Sequence, residues 1–165
     1  MKKVIIIGCP GAGKSTFARK LAAKTGLPLH YLDMIYHLPD RTVLPASQFD
    51  KKLQELMTAD EWILDGNYQR TMPARMKEAD TVFFFDLPVE ICLEGAISRL
   101  GHERIDMPWH DDELAEDFRL WITNFPNFQL PLINRLLSDF TGTVYRFTDR
   151  AQADTFIASL PESSK

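Results

Sequence analysis

The chain has 165 residues, enough for one well-filled core and too few for two ordinary domains. Its 45% hydrophobic and 25% charged content is that of a soluble globular chain, and no apolar run approaches the roughly 20 residues that span a bilayer. A formal net charge of −4, with no block of basic residues, argues against strong direct nucleic-acid binding, which depends on phosphate neutralisation by Lys and Arg.

The first element is Val4-Ile5-Ile6-Ile7, a β-branched run that predicts a buried parallel strand. It leads into Gly8-Cys9-Pro10-Gly11-Ala12-Gly13-Lys14-Ser15-Thr16, a full match to the G-x-x-x-x-G-K-[ST] phosphate-binding loop. Phe17, Ala18, Leu21 and Ala22 then recur at helical spacing until Gly26 and Pro28. Strand, glycine loop and helix are the order the chemistry needs. The glycines let backbone N–H groups turn around a phosphate, and the helix N-terminus adds partial positive charge. Lys14 reaches the β- and γ-phosphates in such loops, and the Ser15 hydroxyl ligates Mg²⁺. The motif implies a nucleoside triphosphate ligand. Met1-Lys2-Lys3 resembles the start of a signal peptide, but the apolar run after it is too short for one. Cys9 and Cys92 have no metal-type spacing, which implies a reduced, cytoplasmic protein.

Leu29-His30-Tyr31-Leu32 predicts a short second strand ending at Asp33, and residues 34–46 read as irregular around Pro39 and Pro45. Ser47 is a candidate cap for a helix carrying Phe49, Leu53, Leu56 and Met57. Trp62-Ile63-Leu64 predicts a third strand ending at Asp65-Gly66-Asn67-Tyr68, and Thr81–Phe85 a fourth ending at Asp86. Pro88 suits the first turn of a helix to Leu100. Residues 101–111 read as a mobile loop. Asp111 and Asp112 are expected to open a helix with Leu114, Phe118, Trp121, Ile122 and Phe125 on one core-packing face, ended by Pro126. A helix with Leu132, Ile133, Leu136, Leu137 and Phe140 precedes Gly142, a fifth strand over Thr143–Phe147 and a closing helix over Asp149–Leu160. The tail Glu162–Lys165 is expected to fray. Alternation of strands and helices predicts a parallel sheet covered on both faces. Function then belongs at the strand C-termini, where Gly8, Asp33, Asp65 and Asp86 fall.

Phosphate-loop proteins use a carboxylate from a second strand to hold Mg²⁺ or its waters. Asp65 and Asp86 compete for that role. Gly66 beside Asp65 permits close backbone approach and favours it, whereas Asp86 before Leu87-Pro88 reads as a helix-start carboxylate. Asp33 is either a polar strand end or the ligand and base for an acceptor hydroxyl.

The phosphate loop, Trp62-Ile63-Leu64-Asp65-Gly66 and Phe85-Asp86-Leu87-Pro88 resemble adenylate kinase and the wider nucleoside monophosphate kinase group. His30–Asp33, Trp62–Tyr68 and the Trp121…Phe125-Pro126 segment resemble the bacterial DNA topology modulation (FlaR-related) proteins. The resemblance runs over nearly the whole chain and is weak in the C-terminal third. It implies a nucleoside-kinase-like three-layer α/β/α fold with a five-stranded parallel sheet of order 2-3-1-4-5. It also implies an acceptor-site insertion near 34–60, a short helical lid near 99–112, and ATP with Mg²⁺ as ligands.

By this resemblance Gly8, Pro10, Gly11, Ala12, Gly13, Lys14, Ser15 and Thr16 hold the nucleotide phosphates, and Ser15 and Asp65 the metal. Arg70 resembles the arginine that grips the acceptor phosphate, although the intervening stretch is one residue longer. Arg99 falls where the second lid-base arginine is expected. The first is Gly95 here, so Arg104 is the candidate to supply the missing charge. Tyr36 stands where a second acceptor-phosphate arginine is expected, with Arg41 the nearest substitute, which weakens the case for a nucleoside monophosphate acceptor. Each arginine also has a plain reading as a solvated surface charge, as do Asp106, Asp111 and Asp112. Trp109 and His110 either stack on a ligand ring or cover the lid's own apolar side. The expected activity is Mg-dependent phosphoryl transfer to an unidentified small-molecule acceptor, with Lys14, Asp33, Asp65, Arg70, Arg99 and Arg104 as its residues. The alternative is a nucleotide-gated regulator without such an acceptor.

Overall fold

Burial of an all-apolar strand on both faces requires neighbours on both edges and helices above and below. Strand β1 (Lys3–Gly8) meets that requirement: Val4 to Ile7 are completely buried, with β3 (Trp62–Asp65) paired on one edge and β4 (Thr81–Phe85) on the other. A computed structural model describes residues 1–161, and the expected tail at Glu162–Lys165 lies outside the described residues. Strand β2 (Leu29–Tyr31) pairs with β3, and β5 (Thr143–Phe147) with β4. The sheet is parallel throughout, in the order β2-β3-β1-β4-β5, as expected.

Helix α1 (Lys14–Thr25) starts directly from the glycine loop and ends at Gly26 in the left-handed conformation. Its Phe17 ring packs against Phe83, Phe85 and Phe147 at centroid distances of 4.8, 5.3 and 5.5 Å, which ties the loop's helix to β4 and β5. Among the described residues no helix is long and apolar enough to cross a membrane.

Several local expectations are corrected. Residues 32–36 form a short helix, α2 (Leu32–Tyr36), so Asp33 lies in a helical first turn rather than at a strand end. Beyond it, His37 pairs with Val43 in an antiparallel bridge around the turn at Arg41. Helix α3 (Ala46–Met57) is entered from Pro45, whose carbonyl accepts from Gln48 and Phe49; Ser47 therefore sits inside the helix and does not cap it. Gln69–Thr71 forms a 3₁₀ turn, followed by a helix not foreseen, α4 (Met72–Glu78), with Pro73 in its first turn. Helix α5 (Val89–Ile97) stops three residues short of Leu100.

Residues 98–115 contain no helix, so the expected lid is irregular rather than helical. Helix α6 (Glu116–Phe128) begins after Asp111 and Asp112, with Glu116 and Asp117 in its first turn instead. Pro126 lies inside α6 and does not end it. Proline lacks the N–H that would bond Ile122 four residues earlier, and that buried carbonyl accepts from Cys9 Sγ at 4.0 Å. Helices α7 (Leu130–Asp139) and α8 (Arg150–Ser159) complete the chain, the latter capped by Asp149 Oδ1 accepting from Gln152 N at 2.8 Å.

Candidate active site

The glycine loop is built for anions by its backbone. Gly11 and Gly13 adopt φ of +84° and +104°, left-handed values that curl the loop, and Gly13 leads into α1. Lys14 Nζ lies across the loop, donating to the Cys9 carbonyl at 3.0 Å, and burial pulls its pKa below the ordinary lysine value. Side chains from distant elements brace the loop. Asn67 accepts from Gly8 N at 2.9 Å and donates to Gly8 O at 2.8 Å, while Arg150 Nη2 donates to Gly11 O at 2.9 Å. Neither brace was expected from the sequence. Both act across more than fifty residues, so no local pattern announces them.

Ser15 Oγ donates to Asp65 Oδ2 at 2.7 Å, while Asp65 Oδ1 is buried with no hydrogen-bond partner among the described residues. Burial pushes the Asp65 carboxyl up to about 6, against the pull of Lys14 and Ser15. A hydroxyl beside an under-satisfied carboxylate is an oxygen-only donor set, which suits a hard cation such as Mg²⁺. Asp86 is placed differently. It accepts from Arg146 Nε at 2.9 Å, lines neither cavity described below, and makes no cap for α5, so the expected helix-start role gives way to an ion pair with β5.

Arg75, also unforeseen, is completely buried without a carboxylate partner among the described residues; burial brings its pKa down to about 9. It donates to the carbonyls of Gly66 at 2.9 Å, Tyr68 at 3.2 Å and Asn67, fixing the backbone that carries Asn67 and Tyr68.

Two cavities open from this centre. One, of about 660 Å³, runs along Gly11–Arg19 to Arg99, Arg104 and Arg150. The other, of about 1010 Å³, is lined by α2, α3, the Asp65–Thr71 segment and the 104–121 region. Lys14, Ser15, Arg99, Arg104 and Asp106 line both. Arg99 Nε is buried at that junction with no partner among the described residues. Arg104 grips Asp106 through hydrogen bonds of 3.1 and 2.8 Å. Asp106, expected as a solvated charge, is instead buried; although burial opposes ionisation, Arg104 holds its carboxyl down at about 2.

In the larger cavity Tyr68 donates its hydroxyl to Asp33 Oδ1 at 2.6 Å, and Arg70 is bound to Asp50 on α3. Arg41 spans to Asp111 at 3.2 Å with its guanidinium 5.2 Å from the Trp109 ring centre. Phe118 and Trp121, expected as core packing, are 39% and 43% exposed and line this cavity, while Ile122 and Phe125 alone of that stripe are buried. His110 lies 3.6 Å from Asp112 and does not line either cavity.

No family model matches the chain. An adenylate kinase of Thermotoga neapolitana is 25% identical over 160 residues, covering 73% of this chain and 71% of that protein. An adenylate kinase of Clavibacter michiganensis subsp. michiganensis is 33% identical over 82 residues, covering 48% of this chain and 38% of its own length. Among solved structures, a shikimate kinase from Acinetobacter baumannii in complex with shikimate superposes with a TM-score of 0.63 at 18% identity, over 95% of this chain and 91% of the other. A sugar kinase from Janibacter sp. HTCC2649 gives a TM-score of 0.53 at 16% identity, over 96% and 91%.

Proposed function

We propose, for this chain of the P-loop kinase-like group, that it transfers the γ-phosphoryl group of ATP to the hydroxyl of a small-molecule acceptor. The observation that carries this reading is the meeting of two cavities at Lys14, Ser15, Arg99, Arg104 and Asp106. A hydrolase needs one nucleotide site and a water; a transferase needs a second site that ends at the same phosphorus.

In this reading ATP lies in the smaller cavity, its phosphates against the N–H groups of Gly11, Gly13, Lys14, Ser15 and Thr16, in a loop begun by Gly8 and Pro10 and braced by Ala12 N donating to the Cys9 carbonyl. Lys14 exchanges the Cys9 carbonyl for phosphate oxygens. Ser15 and Asp65 would hold Mg²⁺, which when bound would supply neutralisation of phosphate charge. The acceptor occupies the larger cavity between α3 and the Asp65–Arg70 segment, where Asp33 orients its hydroxyl and receives the proton. The acceptor oxygen forms a bond to the γ-phosphorus as the bond to the bridging oxygen breaks, and that electron pair leaves with ADP. Arg99, carrying an unsatisfied buried donor, and Arg104 face the moving charge. Closure of the segment near 99–112 over the reacting atoms excludes water.

ADP release from Mg·ATP, measured with and without a panel of small hydroxyl compounds, tests the reading. Acceptor-stimulated release with a phosphorylated product supports transfer. A slow release that no acceptor changes would support the regulatory alternative suggested by the resemblance to DNA topology modulation proteins. A chain that does not bind ATP would end both.

A further inference from the structure

The charged groups on the acceptor side of the larger cavity are paired with one another. Arg70 donates to both oxygens of Asp50, at 2.9 and 2.7 Å. Arg104 takes up Asp106, and Arg41 takes up Asp111 and the His110 carbonyl at 3.3 Å. Tyr68 occupies one oxygen of Asp33. Leaving aside Lys14, Asp65 and Arg99 at the junction, the three guanidinium groups of the lining are thus each held by a carboxylate, one of them (Asp50) outside the lining. Lys14 and Arg99, which line the cavity at its junction end, are left to the transferring phosphoryl group; beyond them a phosphate on the acceptor would have to displace one of these partners. A cationic acceptor finds Asp50, Asp106 and Asp111 already paired with arginines and one oxygen of Asp33 taken by Tyr68. Burial also holds His37 below its ordinary range, so it stays neutral near pH 7.

Away from Arg99 and Asp65, whose free atoms lie at the phosphoryl junction, what the cavity leaves free is uncharged. Gln69 Nε2 is buried in its lining with no hydrogen-bond partner among the described residues. A glutamine amide sets a donor beside an acceptor, the arrangement that pairs with the edge of a nucleobase. Tyr36, Phe49, Tyr68, Trp109, Phe118 and Trp121 supply ring surface in the same cavity. Phe118 and Trp121 stay exposed there with no side-chain hydrogen bond among the described residues, so a flat apolar ligand would cover them.

We propose that the acceptor is an uncharged nucleoside. This rests on the phosphotransferase reading above and adds the acceptor's class. The base lies among the rings with its edge on the Gln69 amide, and a sugar hydroxyl meets the second oxygen of Asp33. That hydroxyl oxygen bonds to the γ-phosphorus, the bond to the bridging oxygen breaks, the proton passes to Asp33, and the products are ADP and a nucleoside monophosphate.

The test compares ADP release by the full chain with Mg·ATP and four kinds of probe: nucleosides, their 5′-monophosphates, shikimate as an anionic alcohol and thiamine as a cationic one. At least one nucleoside should raise release by about tenfold or more over the acceptor-free rate and exceed its own monophosphate in kcat/KM by about tenfold, the worth of one unpaired polar group. Gln69→Leu should raise KM for that nucleoside by about tenfold while kcat stays within about threefold, since the lost contact binds the base rather than the reacting atoms. Asp50→Asn, which frees Arg70, should narrow the preference for nucleoside over monophosphate several-fold. Preference for a monophosphate, shikimate or thiamine overturns the inference and leaves phosphoryl transfer standing. Bound ATP with no response to any nucleoside overturns it as well. Absence of ATP binding instead removes the phosphotransferase reading beneath it.

Discussion

Gly95 on α5 lies directly against Gly11 of the phosphate loop: a Cβ at position 95 would stand 2.0 Å from the Gly11 carbonyl oxygen. That carbonyl is also the one Arg150 holds at 2.9 Å. The position where the resemblance to adenylate kinase calls for an arginine is therefore closed to any side chain. The loop is packed on α5 by backbone contact, and a guanidinium from α8 reaches it instead.

Gly95→Ala should consequently disturb the loop rather than the sheet. The neighbour is backbone, so relief of the clash requires α5 or the loop to move. We expect a loss of about 1–3 kcal/mol in stability, in the range of overpacking, with ATP affinity reduced by about tenfold or more. Calorimetry of ATP binding beside thermal unfolding checks this. Unchanged affinity in a folded variant would show that the contact is not needed.

Lys14→Ala removes a side chain whose one hydrogen bond among the described residues is to the Cys9 carbonyl. Its burial lowers its pKa, so the charged amine is held at some cost that its loss would relieve. Thermal stability should be equal or slightly higher, and ATP binding weaker by on the order of 10² or more. Wild-type ATP affinity in this variant would remove the basis of the functional reading.

Asp65→Asn separates stability from function through pH. The folded carboxyl titrates at about 6 against an ordinary 3.8, so the folded state holds its proton more tightly between those values. Stability therefore falls as pH rises from about 4 to 6, and the ionised buried carboxylate costs up to about 3 kcal/mol at neutral pH. The asparagine variant should melt higher than the parent near pH 7.5 and approach it near pH 4, while Mg²⁺-dependent ATP binding and turnover drop sharply. A melting difference that does not change with pH would mean burial of the charge is not the cause. Asp86→Asn, which loosens only a partly exposed pair with Arg146, should alter stability by less than about 1 kcal/mol and leave turnover near normal.

Arg99 and Arg104 line the same junction but are differently free. Arg99 carries a buried Nε without a partner among the described residues, whereas Arg104 is committed to Asp106. Arg99→Ala should lower kcat by on the order of 10² or more with only a several-fold loss in ATP affinity, since the contact forms chiefly with the transferring group. Arg104→Ala should cost less in kcat, and more in stability, because it strands a buried carboxylate. Steady-state kinetics with the best acceptor found decides it. An unchanged kcat for Arg99→Ala would exclude the arginine from the reaction.

Much of the fold was legible along the chain because its signals are local. Val4–Ile7, Trp62–Leu64 and Thr81–Phe85 are apolar runs that cannot face water on either side, and each became a central parallel strand. The glycine spacing at positions 8, 11 and 13 carries its own backbone geometry, so the loop and the start of α1 also stood in the sequence. The pairing of Ser15 with Asp65 was foreshadowed too, since Ser15 opens the helix that follows the C-terminal end of β1 and Asp65 ends the neighbouring β3.

Only the tertiary structure decided which side chains those elements leave free. Helical periodicity put Phe118 and Trp121 on the apolar face with Ile122 and Phe125, yet that face is wider than the core it meets, and its margin turns to the cavity. Asp106 reads as a loop charge in any local window; burial and Arg104 make it part of the junction. Arg70 reads as a free clamp until Asp50, twenty residues back on α3, is brought against it. Periodicity and motif spacing are properties of neighbouring residues, whereas the pairing of a charge depends on which distant elements pack beside it.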